Sequence, residues 1–121
     1  MKFSFTISRA PVSTNRAVKM HWAVRAKLAK GFKADAQMLA REARLPRPFA
    51  HPIRVTVTGV YTKGITQADH DNMSLMRKWI IDGIVAAGCV LDDNPEHVVP
   101  GEPRTAQGLR REVLVEVEEV Y

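Results

Sequence analysis

Nine residues, Ile53–Tyr61, read Ile-Arg-Val-Thr-Val-Thr-Gly-Val-Tyr. Apolar, mostly β-branched side chains at every second position mark a strand with one buried face and one face toward water. Such a strand needs a cover over its apolar side, so it commits the chain to a layered domain. Residues 111–121 (REVLVEVEEVY) alternate in the same way, and residues 2–8 (KFSFTIS) form a weaker third case. His97-Val98-Val99 reads as a short strand, and the polar residues 101–108 read as a loop.

Two segments carry the other period. Over residues 16–43, Val18, Trp22, Ala29, Phe32, Ala36 and Leu39 recur at steps of three, four or seven, giving an apolar helical stripe. Gly31 is the expected point if this segment breaks into two helices. Arg16, Lys19, Lys27, Lys30 and Lys33 fall within an arc of roughly 120° on another face of an unbroken helix, where they would meet phosphates or simply water. Residues 72–87 form the second helix, with Asp71 or Asn72 as N-cap and Gly88 as its stop. The order β-α-β-α-β-β predicts an α+β fold: a small mixed β-sheet with two main helices packed on one face. At 121 residues it is expected to form a single domain, 1–121.

Charge divides the chain. Residues 1–68 hold 13 Lys and Arg against 2 Asp and Glu, a balance of +11, while residues 69–121 hold 5 against 11, a balance of −6. A basic half suits a polyanion, because neutralising phosphates releases counterions. The single cysteine, Cys89, excludes an intramolecular disulfide and reads as a buried thiol suited to a reducing compartment. No apolar run approaches the ~18 residues of a membrane helix. A cytoplasmic location and no membrane partner are therefore expected.

The acidic half concentrates its chemistry in Asp69-His70-Asp71-Asn72, Lys78, Asp82 and Asp92-Asp93. Clustered carboxylates repel one another unless a cation or solvent offsets them. In an extended segment Asp69 and Asp71 point the same way. Asp71, Lys78 and Asp82 would fall within ~40° on a helix. Asp69, Asp71 and one of Asp92 or Asp93 form a donor set for Mg²⁺, with Mn²⁺ as a substitute, and Lys78 could offset charge on a phosphoryl group. Blander readings exist: Lys78 and Asp82 make a plain i,i+4 pair, and Asp92-Asp93-Asn94-Pro95 is good turn chemistry. An EF-hand counted from Asp69 fails, since Ser74 and Ile80 stand where its Gly and Glu belong.

Taken together, Asp69-His70-Asp71-Asn72, then Lys78-x-x-x-Asp82-Gly83-Ile84, then Ala87-Gly88-Cys89-Val90-Leu91-Asp92-Asp93, resembles the RusA-type Holliday-junction resolvases. These are small endodeoxyribonucleases common in phages and prophages. The resemblance is specific over residues 68–99. It implies a homodimer, a mixed sheet with helices on one side, and Mg²⁺-dependent nicking of branched DNA, the four-way junction. By the same resemblance Asp69, Asp71 and Asp93 are the catalytic metal-binding carboxylates, with Asp92 sharing the metal. Lys78 is the helix lysine needed for activity, and Asn72 and Asp82 are supporting. The segment Met73-Ser74-Leu75-Met76-Arg77 makes the Asn72–Lys78 spacing about one helical turn longer than the commonest family form. It also offers Arg77 as a substitute for the lysine.

Arg16, Lys19, Lys27, Lys30 and Lys33 are the expected DNA-binding residues, with Arg104, Arg110 and Arg111 as additions. Lys19-Met20-His21-Trp22 could touch DNA, although packing or plain helix surface is the expected role of His21 and Trp22. The alternatives are a non-catalytic nucleic-acid-binding protein with an acidic metal or protein-interaction patch, and a metal-dependent hydrolase of small phosphorylated substrates. The second would leave the +11 half without a purpose.

Overall fold

The computed structural model describes residues 2–62, 73–99 and 101–120. Its framework is a five-stranded mixed sheet. Strand β5 (Glu112–Glu119) lies between β1 (Lys2–Ile7) and β2 (Ile53–Tyr61), antiparallel to both. Along the other edge of β2 run two short parallel strands, β3 (Val98–Val99) beside Ile53 and Arg54, and β4 (Arg104–Gln107) beside residues 58–61. The register sets Phe5 opposite Val115, Ile7 opposite Val113, and Val55 opposite Val117. All odd-numbered apolar residues of the three long strands therefore share one face, and all but the half-buried Phe3 are buried. Burying each such aliphatic side chain contributes about 1.5–3 kcal/mol. The opposite face carries Ser4, Thr6, Thr56, Glu116 and Glu118, with ion pairs Lys2–Glu116 at 2.6 Å and Arg54–Glu118 at 3.6 Å. This is the expected α+β architecture, with helices on one face of a mixed sheet.

Three helices cover the apolar face: α1 (Thr14–Lys19), α2 (Trp22–Glu42) and α3 (Ser74–Ala86). The expected single helix over 16–43 is thus two, and the break falls at Met20–His21, not at Gly31. Met20 turns extended (ψ 150°) after α1, and the His21 ring caps α2 by accepting the Ala23 N–H at 3.2 Å. Ser13 caps α1 through Arg16 N–H. Gly31 stays helical under the Arg9 guanidinium, which would lie 2.7 Å from any Cβ there. Arg9 is itself held by Asp35 at 2.5 Å.

Two further expectations need correction. Residues 101–108 are not all loop, since β4 runs through them; every residue of β4 is exposed, so no apolar alternation marks it. Helix α3 starts at Ser74 with Met73 in the N-cap position and no side-chain cap of its own, not at Asn72 with Asp71 or Asn72 capping. Asp71 and Asn72 lie outside the described residues. The first-turn N–H of Leu75, which has no partner within the helix, is instead satisfied from another element, by Thr14 Oγ1 of α1 at 3.2 Å. The apolar stripe is also shorter than expected: Phe32 and Ala36 are buried and Ala29 and Leu39 partly so, but Val18 and Trp22 are exposed.

Helices α2 and α3 run in the same direction, because their contacts ascend together. Phe32 meets Trp79, the backbone at Lys33 and Gln37 meets Gly83, and Gln37 donates to the Ala86 carbonyl. The crossing is closest at Gly83, where a Cβ would stand 2.4 Å from the Lys33 carbonyl and 2.6 Å from Ala36 Cβ. Among the described residues no helix is long and apolar enough to cross a membrane.

Gly83→Ala is expected to destabilise the fold by about 1–3 kcal/mol through overpacking, despite alanine's better helix propensity. A lower urea midpoint at unchanged slope checks this.

Candidate functional site

Helix α3 ends in a Schellman arrangement. Gly88, at φ 87°, donates to the Val85 carbonyl, and Cys89 N–H donates to Ile84 O. The left-handed residue turns the chain back, and the Cys89 carbonyl is then tied by Phe49 N–H at 2.9 Å. Cys89 and Val90 are buried, as expected of the thiol, and burial pushes the Cys89 pKa up. Leu91 then leaves the body, and residues 92–97 form a turn built by side chains. Asp92 Oδ1 accepts Asp93 N–H at 2.7 Å, Asp92 Oδ2 accepts from Asn94 Nδ2 at 3.4 Å, and Asn94 Oδ1 accepts Glu96 N–H at 3.0 Å.

That turn delivers Asp93 to the side of α3. The Lys78 ammonium donates to Asp93 Oδ2 and, at 3.1 Å, to Asp82 Oδ1 one turn along the helix. Lys78, Asp82, Val85 and Ala86 lie at i, i+4, i+7 and i+8, so they share one helix face. With Asp92, Asp93 and Lys33 of α2 they line an open pocket of about 360 Å³. Lys33 reaches it because Gly83 admits its backbone so closely. The lining holds three carboxylates and two ammonium groups.

The ion pair sets the titration of both partners. The Lys78 hydrogen bond, seconded by Asp92, holds Asp93 below the ordinary carboxylate range. Asp93, then Asp82, raises Lys78. The stabilisation linked to Asp93 is therefore present above its unfolded pKa and lost as pH falls through its depressed folded value. That linked to Lys78 is present below its unfolded pKa and lost as pH rises through its raised folded value.

Arg77, next to Lys78, does different work. Its guanidinium turns toward the sheet and donates to the Val55 carbonyl through Nε (3.4 Å) and Nη2 (3.3 Å), and to the Val99 carbonyl at 3.4 Å. These carbonyls lie where β3 has ended and β4 has not begun, so Arg77 replaces the missing ladder bonds. Gly101 passes the same point, leaving only 2.5 Å between a would-be Cβ and Val55 O. Burial lowers the Arg77 pKa. Arg77 is thus committed to the sheet edge and is not aimed at the pocket as a substitute for Lys78.

Of the expected site residues, the structure brings together Lys78, Asp82, Asp92 and Asp93. Asp69, Asp71, His70 and Asn72 lie outside the described residues. Both Asp92 carboxylate oxygens are occupied within the turn. Among the described residues, no three of His, Cys, Asp or Glu are placed to hold a metal ion. Arg16 and Lys19 sit on α1, and Lys27, Lys30 and Lys33 on α2, all exposed. The break at Met20–His21 removes the common helix face of the five, leaving the α2 lysines as one group. Sequence reasoning missed Lys33 as a pocket residue; the signal was the small-residue match of Ala36 with Gly83. Arg104, Arg110 and Arg111 are exposed on β4 and before β5. Compared with models of known protein families and with curated protein sequences, the chain matches none.

In Lys78→Gln, the Asp93 pKa is expected to rise back toward the ordinary carboxylate value. Carboxyl-carbon NMR titration of wild type and variant checks it, and an unmoved Asp93 would show that the pair is not formed in solution.

Proposed function

We propose that the chain is a metal-dependent, structure-selective endodeoxyribonuclease of the RusA type, resolving four-way DNA junctions by paired nicks from a homodimer. The observation that carries this reading is the meeting of Asp93 with Lys78 and Asp82. Two stretches of the resemblance, 10 or more residues apart in sequence, converge on one pocket beside a basic helix. The donor chemistry suits a hard divalent cation. Asp93 offers carboxylate oxygens and already carries an ammonium group, so its place in the fold accepts positive charge.

On this reading Asp69, Asp71 and Asp93 would hold Mg²⁺, or Mn²⁺ in its place. A bound ion of this kind polarises a phosphoryl oxygen and makes its water more acidic. The chain's own part is to position and neutralise. Lys78, anchored by Asp82, directs its ammonium at the non-bridging oxygens of the scissile phosphate, where charge develops as water attacks in line. Its bond to Asp93 keeps that carboxylate ionised and ready as a ligand. Asp92 fixes the turn that presents Asp93. Lys33 and the exposed Lys27 and Lys30 bind flanking phosphates, and each phosphate neutralised steepens the salt dependence of binding.

The test is nicking of a labelled synthetic four-way junction, with linear duplex as control, in Mg²⁺, Mn²⁺ and EDTA. Symmetric metal-dependent cuts at the junction are expected, absent on duplex. Asp93→Asn and Lys78→Gln should each lower the rate by roughly 10²-fold or more, the scale of losing one preorganised charge stabiliser, with junction binding retained. Tight, salt-sensitive binding without cleavage in either metal would instead select the non-catalytic binding protein.

A further inference from the structure

We propose that Trp22, backed by His21, is a stacking platform for an unpaired base at the branch point of DNA, a role that rests on the nucleic-acid reading above. Trp22 is 70% exposed at the first turn of α2. It belongs by spacing to the apolar stripe whose later members Phe32 and Ala36 lie in the core. The stripe therefore runs past the end of the body it covers, and its largest ring is left in water. Val18 of α1 is also exposed, at 55%.

The ring beside Trp22 is fixed. His21 Nδ1 accepts the Ala23 N–H, which locks the imidazole in place, and the two ring centroids are 5.7 Å apart at 32°. With the His21 ring already held, stacking a flat partner on this pair need order only the Trp22 side chain. Charge selects the partner. Residues 1–34 contain eight Lys and Arg and no Asp or Glu, and the first acid, Asp35, is held by Arg9. Arg16, Lys19, Arg25 and Lys27 thus surround the aromatic pair in sequence with no carboxylate among them. An exposed aromatic face in a stretch of sequence whose charges are all cationic fits a polyanion that also offers π-faces, which is unstacked DNA.

Helix geometry ties this platform to the pocket. Trp22 and Lys33 are eleven residues apart on α2, so they lie about 20° apart around the helix and roughly 16 Å apart along it. That span is the rise of about five stacked nucleotides of one strand. A strand whose base stacks on Trp22 would run along one row of α2 and bring a phosphate to Lys33, at the edge of the Lys78–Asp93 pocket.

The experiment uses the full chain and a four-way junction carrying 2-aminopurine at the branch point, with the same probe inside an arm and in linear duplex as controls. Wild type should quench the branch-point probe and leave the others unchanged. Trp22→Phe should keep most of the quenching. Trp22→Ala should lose it and bind the junction about 5- to 100-fold more weakly, the range that stacking one base implies, with duplex affinity almost unmoved. Circular dichroism and urea melts confirm folding, which an exposed side chain should not disturb. The platform is overturned if Trp22→Ala matches wild type in quenching and junction affinity, or loses junction and duplex binding equally. It is also overturned if sedimentation shows the variant alone falling to monomer, which would assign Trp22 to a second copy. A blue shift of Trp22 emission on vesicles of anionic phospholipid, with none on the junction, would assign it to a membrane surface. If wild type binds and cuts the junction while Trp22→Ala behaves identically, only the platform falls; if wild type binds no DNA, the proposed function falls with it.

Discussion

The closest contact between the two long helices governs everything built on this sheet. Gly83 has no Cβ, so the Lys33 carbonyl and Ala36 of α2 come against the α3 backbone itself. This approach lets a 21-residue helix and a 13-residue helix share one narrow layer. Phe32 meets Trp79 within this layer, while Trp22, ten residues earlier on α2, is exposed. The same glycine thus explains why Lys33 reaches the acidic pocket.

Helix α3 must be fixed in rotation as well as in place. Arg77 does this by donating to two carbonyls of the sheet edge, at the gap between β3 and β4. Successive residues on a helix are about 100° apart, so a guanidinium locked onto the edge leaves Lys78 no choice of direction. It faces away from the sheet edge, toward the turn that carries Asp93. Buried carbonyls without partners are costly, and the repair of the broken ladder therefore doubles as the device that aims the pocket lysine.

The strands were legible because their alternation is a direct image of a half-buried sheet. Ile53–Tyr61 and the segment ending the chain keep apolar residues at every second position, and the register follows from burying them together. Strand β4 was not legible, because an exposed edge strand has no buried face to write a pattern. The helix break was missed for a related reason. Gly31 looks like a breaker, but the Arg9 side chain from the end of β1 lies over it, and that contact is tertiary. The real break needs only an extended Met20 and a histidine cap, neither of which disturbs the apolar period. In the site, the turn-forming Asp92 and the Lys78–Asp82 pair were visible as spacing. Lys33 was not, since its role depends on how near α2 comes to α3.

The pocket and the basic surface solve one electrostatic problem together. A carboxylate cluster repels the phosphates that the N-terminal half would attract, and the two halves of the chain differ by this very charge. Lys78 pairs with both Asp93 and Asp82, and Lys33 adds a second cation at the rim. The described lining therefore carries three carboxylates against two ammonium groups, so a polyanion lying on α2 would meet a much weaker opposing field than the carboxylates alone would set up. Removing Lys78 would do more than delete one donor: it would leave two ionised carboxylates facing the approaching backbone, with the repulsion least screened at low salt. On the nuclease reading, a defect in the Lys78 variant that eases as ionic strength rises would trace to that field, whereas a defect of constant size would trace to the lost contact with the phosphate.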